Sequence, residues 1–181
     1  ITSGVAMSVV WLYIFSSDRY GLINNALIQL GMIQDPILWT MDSRYIMTVV
    51  LVISIWMSMG TGFLVFLAGL QSIDESLYEA AAIDGAKGWT LFRKITWPLL
   101  SPSTFFVAMM LVINSFKVFD LVWLMTQGGP GTSSTMLSQY IYNQAFISWD
   151  YGRSSAAAII LFIIVGLLTV FQFKAEKKFV N

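Results

Sequence analysis

The sequence predicts an all-α integral membrane protein, a bundle of transmembrane helices, on the basis of two observations. Hydrophobic residues make up 57% of the 181 residues, and charged residues only 11%. A soluble domain is typically about 25% charged, so this chain has too little charge to cover a water-facing surface. The second observation is that long stretches contain no charged residue at all, which is typical of helices that cross a bilayer.

The composition also excludes several classes of function. Ten Lys and Arg balance ten Asp and Glu, so no basic excess points to a nucleic-acid partner. The chain has no Cys and no His, and it therefore lacks thiolate ligands, the usual general base and the most common metal ligand. We expect no metal site and no catalytic residue on this chain.

Four spans are predicted from the apolar stretches, because about 20 residues of helix cross a bilayer core. The first stretch is slightly short, and it begins without a Met or a polar cap, so we expect that the chain begins inside a helix whose start is missing. A signal peptide is the alternative, but no basic segment precedes the stretch. The predicted spans are residues 1–16, 46–70, 103–126 and 155–173.

Lys and Arg residues near the span ends predict the orientation, because such residues are enriched on the cytoplasmic side. Loop 71–101 and the C-terminal tail are the basic segments, and both are predicted to be cytoplasmic. Segments 17–45 and 127–154 are then outer loops. The basic residues on the predicted cytoplasmic side are Lys87, Arg93, Lys94, Lys174, Lys177 and Lys178.

Loop 71–101 has the pattern of a helix, a glycine turn and a second helix. Ser72 and Glu75 match a capping box, which predicts a helix from about Ile73. Gly85 is placed to end that helix in a left-handed conformation, and a second short helix is expected from about Gly88. The apolar face of this element predicts either a surface for a partner protein or a helix pair at the lipid headgroups, and these residues alone leave both open.

Three segments of the chain have a more specific pattern. They are EAAAIDGA at 79–86 followed by Phe92, Ile95 and Pro98, SFKVFD at 115–120, and QGGPG at 127–131. The first resembles the EAA loop of binding-protein-dependent ABC importer permeases, and the other two are similar to the carbohydrate-uptake branch of that family. The resemblance covers essentially the whole chain, although such permeases usually have about six core spans.

The resemblance implies that loop 71–101 docks on a separate ABC ATPase subunit and passes its closure to the spans. Glu79 would pair with a cation of the partner, small side chains would allow close approach, and Asp84 has the alternative of a local hydrogen bond. Because the chain has no G-x-x-x-x-G-K-[ST] phosphate loop, we expect no cofactor here, with ATP and Mg²⁺ on the partner ATPase. The implied docking residues are Glu79, Ala80, Ala81, Asp84 and Gly85.

Small and polar residues share two helix faces inside the second and third predicted spans. Matched by spacing from Glu79, the resemblance implies that they line the solute pathway, with helix packing as the alternative at each position. Lys117 and Asp120 are costly inside a span, and we expect them to pair at i, i+3, either lining the outer pathway or packing one subunit on another. The predicted pathway residues are Ser54, Met57, Ser58, Thr61, Leu111, Asn114, Ser115, Lys117, Val118 and Asp120.

By this resemblance the chain is expected to be a permease subunit of an ATP-driven importer in a bacterial or archaeal inner membrane, and not an enzyme. Its solute would be a carbohydrate or a similar polyhydroxylated compound, delivered by an extracytoplasmic binding protein. A second permease subunit, identical or different, would complete the pathway in the lipid bilayer. Two alternatives remain at this point: an ion-coupled secondary transporter that uses Asp120, and a non-transporting membrane scaffold.

Overall fold

The computed structural model describes residues 3–179, with side chains up to residue 176, and this part of the chain is helical without any strand. The predicted all-α fold class is confirmed. Ile1, at the expected chain start inside a helix, and the side chains of Lys177 and Lys178 lie outside the described residues. The helices are α1 Gly4–Ile14, α2 Leu22–Gln29, α3 Ile46–Gln71, α4 Glu75–Ile83, α5 Trp89–Leu99, α6 Ser101–Phe116, α7 Asp120–Met125, α8 Leu137–Tyr142 and α9 Tyr151–Phe179. Two π-helical turns are Phe92–Thr96 within α5 and Asn143–Ile147 after α8.

Two of the described helices are by themselves long and apolar enough to cross a membrane. They are α3 and the part of α9 from residue 151 to 176. The 26 residues of α3 extend about 39 Å at 1.5 Å per residue, more than the roughly 30 Å of a hydrocarbon core. Helices α5 and α6 satisfy the same criterion only together, and a bend of 62° separates them. Helix α1 is apolar but shorter.

The chain forms two compact units, and the first contains residues up to 57 together with 115–163. Helix α1 packs against α7 there, and the N-terminal half of α3 adds to the same hydrophobic core. Fully burying an aliphatic side chain stabilises a fold by about 1.5–3 kcal/mol relative to leaving it exposed. Burial of this cluster is therefore the main apolar contribution to the stability of the unit. The buried core residues are Phe15, Val49, Val50, Ile53, Leu121, Val122 and Met125.

The loop between α1 and α3 is folded around one buried amide. The side chain of Asn24 is fully buried, and its Nδ2 donates to the backbone oxygens of Ser16, Asp18 and Ile37 at 3.0–3.1 Å. Its Oδ1 accepts from the backbone N–H of Ile37 and from the indole Nε1 of Trp39. The segment between α1 and α3 is therefore a hydrogen-bonded structure with a defined path and not a loose connection.

The third predicted span is not one continuous helix, which corrects the expectation for residues 103–126. Helix α6 ends at Phe116 and α7 begins at Asp120. The break leaves backbone carbonyls without helical partners, and the hydroxyl of Ser138 donates to one of them, the oxygen of Val118, at 2.6 Å. Within residues 3–176 no ion pair joins Lys117 to Asp120. Each charge instead complements the dipole of the helix end at which it lies.

The second unit contains residues 58–114 and the chain from 164 onward. The C-terminal half of α3 packs closely on α6 at Gly69, where a Cβ atom would overlap the hydroxyl of Ser103 and come within 3.0 Å of Leu100 Cδ2. The end of α9 packs on α6 as well, with the rings of Phe105 and Phe173 5.6 Å apart. The absence of a side chain at Gly69 therefore permits the close approach of α3 and α6.

Candidate functional site

The candidate site is the helical loop formed by α4 and α5, and its first helix begins two residues later than predicted. Asp74 is the N-cap of α4, and its carboxylate accepts a hydrogen bond from the backbone N–H of Ser76 at 2.9 Å. That hydrogen bond holds the pKa of Asp74 below its ordinary value. The predicted capping box is wrong, because the hydroxyl of Ser72 instead donates to the carbonyl of Gly69 at the end of α3.

The C-terminal end of α4 is a Schellman motif. The backbone N–H of Ala86 donates to the carbonyl of Ala81, and that of Gly85 donates to the carbonyl of Ala82. Gly85 has φ +77°, so the left-handed conformation predicted for it is confirmed. Nothing lies within 4 Å of the position that a Cβ atom would occupy there. Glycine is therefore favoured at this position by its backbone conformation and not by a lack of space.

The structure leaves four of the five predicted docking residues open to a partner. Glu79, Ala80, Asp84 and Gly85 are exposed, and neither carboxylate is in an ion pair with another described residue. Ala81 is buried inside the chain. Its methyl group packs α4 in place, so Ala81 does not present a contact surface as the other four do.

Sequence reasoning did not single out Ile83 as a surface residue. Its side chain is 87% exposed at the last position of α4, directly before the turn that contains Gly85. Helix α4 is held on α5 by the hydroxyls of Tyr78 and Thr96, which are 3.2 Å apart, and Thr96 is buried. The arrangement is thus a short, supported helix with a carboxylate, small side chains and one large apolar side chain on its surface.

The first predicted polar face lies on α3, and its spacing holds because α3 is continuous over residues 46–71. Ser54 and Ser58 are half-buried, and Thr61 is exposed. Met57 packs against the hydrophobic core of the first unit. For Met57 the structure therefore supports a packing role, whereas the three hydroxyl-bearing residues keep a common helix face.

The second predicted polar face is interrupted by the break after α6. Val118 lies beyond the last helical residue of α6 and packs against the core of the first unit. It therefore does not continue the face that the residues of α6 form. The other members of this set are exposed within the chain, and they are Leu111, Asn114, Ser115, Lys117 and Asp120.

The fold matches that of a solved transporter chain. The similar structure is a bacterial ABC transporter involved in the import of the acidic polysaccharide alginate, with a TM-score of 0.84 over 98% of this chain and 62% of that chain. The two sequences are 24% identical, so this likeness shows the fold alone. The helical fold of this chain is therefore the fold of that transporter chain.

The chain belongs to the family of binding-protein-dependent transport system inner membrane components, whose pattern matches residues 2–178. Similar curated proteins include the sn-glycerol-3-phosphate permease UgpA of Agrobacterium fabrum, 38% identical over 96% of this chain. The lactose permease LacF of Rhizobium radiobacter is 34% identical over 98%, and the multiple-sugar permease MsmF of Streptococcus mutans 36% identical over 99%. The chain spans 58% of the length of UgpA and 60% of LacF and MsmF.

Proposed function

We propose that this chain is the membrane-spanning part of a permease subunit of an ATP-driven ABC importer. The main support is the exposed turn formed by α4 and Gly85 in a chain of this family. A partner can reach this turn without any rearrangement of the chain, because Glu79, Ala80 and Asp84 are already exposed. The hydroxyl of Tyr78 on α4 also contacts that of Thr96 on α5. A displacement of the turn can therefore be transmitted to α5.

The partner on this turn would be an ABC ATPase subunit, which would bind ATP and Mg²⁺. Glu79 would form an ion pair with a cation of the ATPase, and Ala80 would allow the two backbones to approach closely. Ile83 would add apolar contact area, and Ala81 would act from inside by fixing the position of α4. Within this proposal the chain moves a solute without breaking its bonds, as is expected of a transport permease and not of an enzyme.

The solute would be a carbohydrate or a similar polyhydroxylated compound, brought by an extracytoplasmic binding protein. The support is the names of the relatives, which include lactose, multiple-sugar and glycerol-phosphate permeases. The polar side chains on the two helices can form hydrogen bonds with the hydroxyl groups of such a solute. They are Ser54, Ser58 and Thr61 on α3 and Asn114 on α6. A second permease subunit would supply the remaining walls of the pathway.

The proposed docking is tested with a matched pair of substitutions on one helix. Glu79→Gln removes the exposed carboxylate at the proposed interface, and Glu75→Gln removes another exposed carboxylate one turn earlier. We expect Glu79→Gln to weaken ATPase binding by about tenfold or more, since an interfacial charge pair is lost. Glu75→Gln is expected to bind as the parent does. The measurement is the dissociation constant of purified full-length permease for its ATPase in nanodiscs.

The outcome that would overturn the importer proposal is specific. It fails if no ATPase with a phosphate-binding loop co-purifies with the full-length protein under mild solubilisation. Gly85→Asp, which changes the exposed turn itself, is expected to abolish co-purification where the parent retains it. If uptake instead collapses with an ion gradient and needs no ATPase, the ion-coupled alternative that uses Asp120 replaces it.

A further inference from the structure

Helix α5 presents a row of three exposed aromatic side chains. Trp89, Phe92 and Trp97 are 72%, 39% and 52% exposed. The rings of Trp89 and Phe92 are stacked with centroids 5.3 Å apart, and those of Phe92 and Trp97 are 6.1 Å apart. A contiguous aromatic surface of this kind in water is unfavourable, so another molecule is expected to cover it.

The row exists because of the π-helical turn Phe92–Thr96. In a regular α-helix, residues five apart point about 140° away from each other. Here the backbone N–H of Trp97 donates to the carbonyl of Phe92, the i→i+5 bond of a π-helix, which brings the fifth residue back over the first. The turn therefore places Trp97 in line with Phe92 and Trp89. Ile95, three residues after Phe92, is half-buried and does not belong to the row.

Arg93 and Lys94 lie on α5, and Lys87 lies two residues before its start. Lys87, Arg93 and Lys94 are exposed, and none of them is in an ion pair with another residue in the described part of the chain. No Asp or Glu occurs anywhere from residue 85 to residue 119. These three cations near the aromatic row can therefore bind an anionic partner.

The connection to α6 favours a bilayer surface as that partner. The 11 residues of α5 extend about 16 Å, which is too short to cross a membrane. Helix α5 meets the apolar α6 at a bend of 62°. If α6 crosses the bilayer near its normal, α5 lies closer to the membrane plane than to that normal. Aromatic residues with flanking Lys and Arg are typical of helices at this position.

We propose that α5 lies in the membrane–water interface and binds anionic phospholipids. The row of Trp89, Phe92 and Trp97 packs among the outer parts of the acyl chains, and the three cations bind the lipid phosphates. Long basic side chains reach the headgroups while their methylene groups cover apolar surface. The proposal goes beyond the importer function, since it depends on the membrane position of α6 and not on the solute or the ATPase.

The depth of α5 is tested with a spin label. The 181 residues contain no cysteine, so Trp89→Cys gives a single labelling site in this chain. The aqueous control is Tyr20→Cys in the predicted outer loop, where the native side chain is 82% exposed. In the purified transporter in nanodiscs, we expect the label at 89 to collide more with oxygen than with a water-soluble nickel chelate. The label at 20 should show the reverse. Aqueous behaviour at both sites, or shielding of the label at 89 from both reagents by a protein partner, overturns the proposal.

Lipid selectivity is tested by removing Lys87, which precedes α5, together with the two basic residues of α5, as Lys87→Gln, Arg93→Gln and Lys94→Gln. Each basic residue near an anionic membrane surface strengthens the binding of anionic lipid. Because all three are removed together, we expect retention of phosphatidylglycerol to fall roughly 100-fold. The measurement is a titration of phosphatidylglycerol against phosphatidylcholine, followed by mass spectrometry of the intact complex. Equal retention by the triple variant and the parent overturns the proposal. The matched control removes the three ion-paired outer arginines, Arg19, Arg44 and Arg153, and should retain the lipid.

Discussion

At Asn24 one carboxamide makes five hydrogen bonds, to groups six to eight residues before it and thirteen to fifteen residues after it in the chain. The amide is fully buried, so each of these partners would lose its hydrogen bond in a dry environment if the side chain were removed. A buried group left unsatisfied costs about 1–3 kcal/mol. The structure of the loop between α1 and α3 therefore depends strongly on Asn24.

The first prediction compares two adjacent asparagines of α2. Asn24→Ala is expected to lower the free energy of unfolding by roughly 3 kcal/mol, because several buried partners lose their hydrogen bonds at once. Asn25→Ala is expected to change it by less than about 0.5 kcal/mol, since Asn25 is exposed. Thermal unfolding of the purified protein, followed by tryptophan fluorescence, measures both. Equal shifts for the two variants would contradict the role assigned to Asn24.

The conformation of a single residue in the candidate site was predictable only where the local backbone alone determines it. Gly85 was correctly predicted to be left-handed, because only Gly adopts that conformation at little cost. The cap of α4 was assigned to Ser72 although the structure uses Asp74. Both residues can cap a helix, and the choice depends on Ser72 donating to the carbonyl of Gly69 at the end of α3. The local pattern does not contain that competing interaction.

Two glycines of α3 have different surroundings, although a sequence pattern treats them alike. A Cβ atom at Gly69 would meet Ser103 and Leu100 of the neighbouring segment, whereas nothing lies within 4 Å of one at Gly60. The packing of α3 on α6 in the second unit thus depends on Gly69. At Gly60 the missing side chain only lowers helix propensity.

The second prediction uses this difference. Gly69→Ala is expected to destabilise the protein by about 1 kcal/mol, because the methyl group separates α3 from α6, and adding Ser103→Gly should recover most of that loss. Gly60→Ala is expected to stabilise it, by up to about 1 kcal/mol, through higher helix propensity. Unfolding midpoints of the parent and the three variants in the same detergent are the measurement. A destabilising Gly60→Ala would show that this position is covered by another subunit.

Helices were predictable from apolar length, but their interruptions were not. The extent of α3 agrees with the predicted stretch to within one residue, because its apolar sequence is continuous. The break at residues 117–119 lies within an apolar stretch that also contains Lys117 and Asp120, and its carbonyl at Val118 is satisfied by Ser138, 20 residues away in the chain. The π-helical turn in α5 is a comparable case. Hydrophobic periodicity shows which face of a helix is apolar. It contains no information about hydrogen bonds between residues that are distant in the chain.

For the whole molecule, the third prediction concerns sidedness, which so far rests on the distribution of Lys and Arg. Ile83→Cys and Tyr20→Cys replace side chains that are 87% and 82% exposed, so both cysteines should react rapidly wherever a reagent reaches them. A membrane-impermeant maleimide is expected to label residue 20 in right-side-out spheroplasts and residue 83 only in inverted vesicles without ATPase. Labelling of both residues from one side would contradict a cytoplasmic loop 71–101.

The membrane architecture as a whole was predictable because composition alone decides between lipid and water as the surroundings. A chain with 11% charged residues cannot cover itself with polar groups, whatever its topology. The division of the chain into two compact units was not predictable, since it depends on which helix faces meet. Met57 and Val118 illustrate this: both were assigned to the solute pathway from spacing, and both pack on the core of the first unit.

The hydrogen bonds of Asn24 also have a consequence for the order of biosynthesis. The ribosome delivers Ile37 and Trp39 after residue 24, so the carboxamide oxygen of Asn24 has only water as a partner until those residues have been translated. The segment between α1 and α3 therefore cannot acquire its final structure progressively from its N-terminal end. Substitutions near residue 39 are expected to delay the same maturation step as substitutions at Asn24, and to leave the segment between α1 and α3 without its final structure for the same interval.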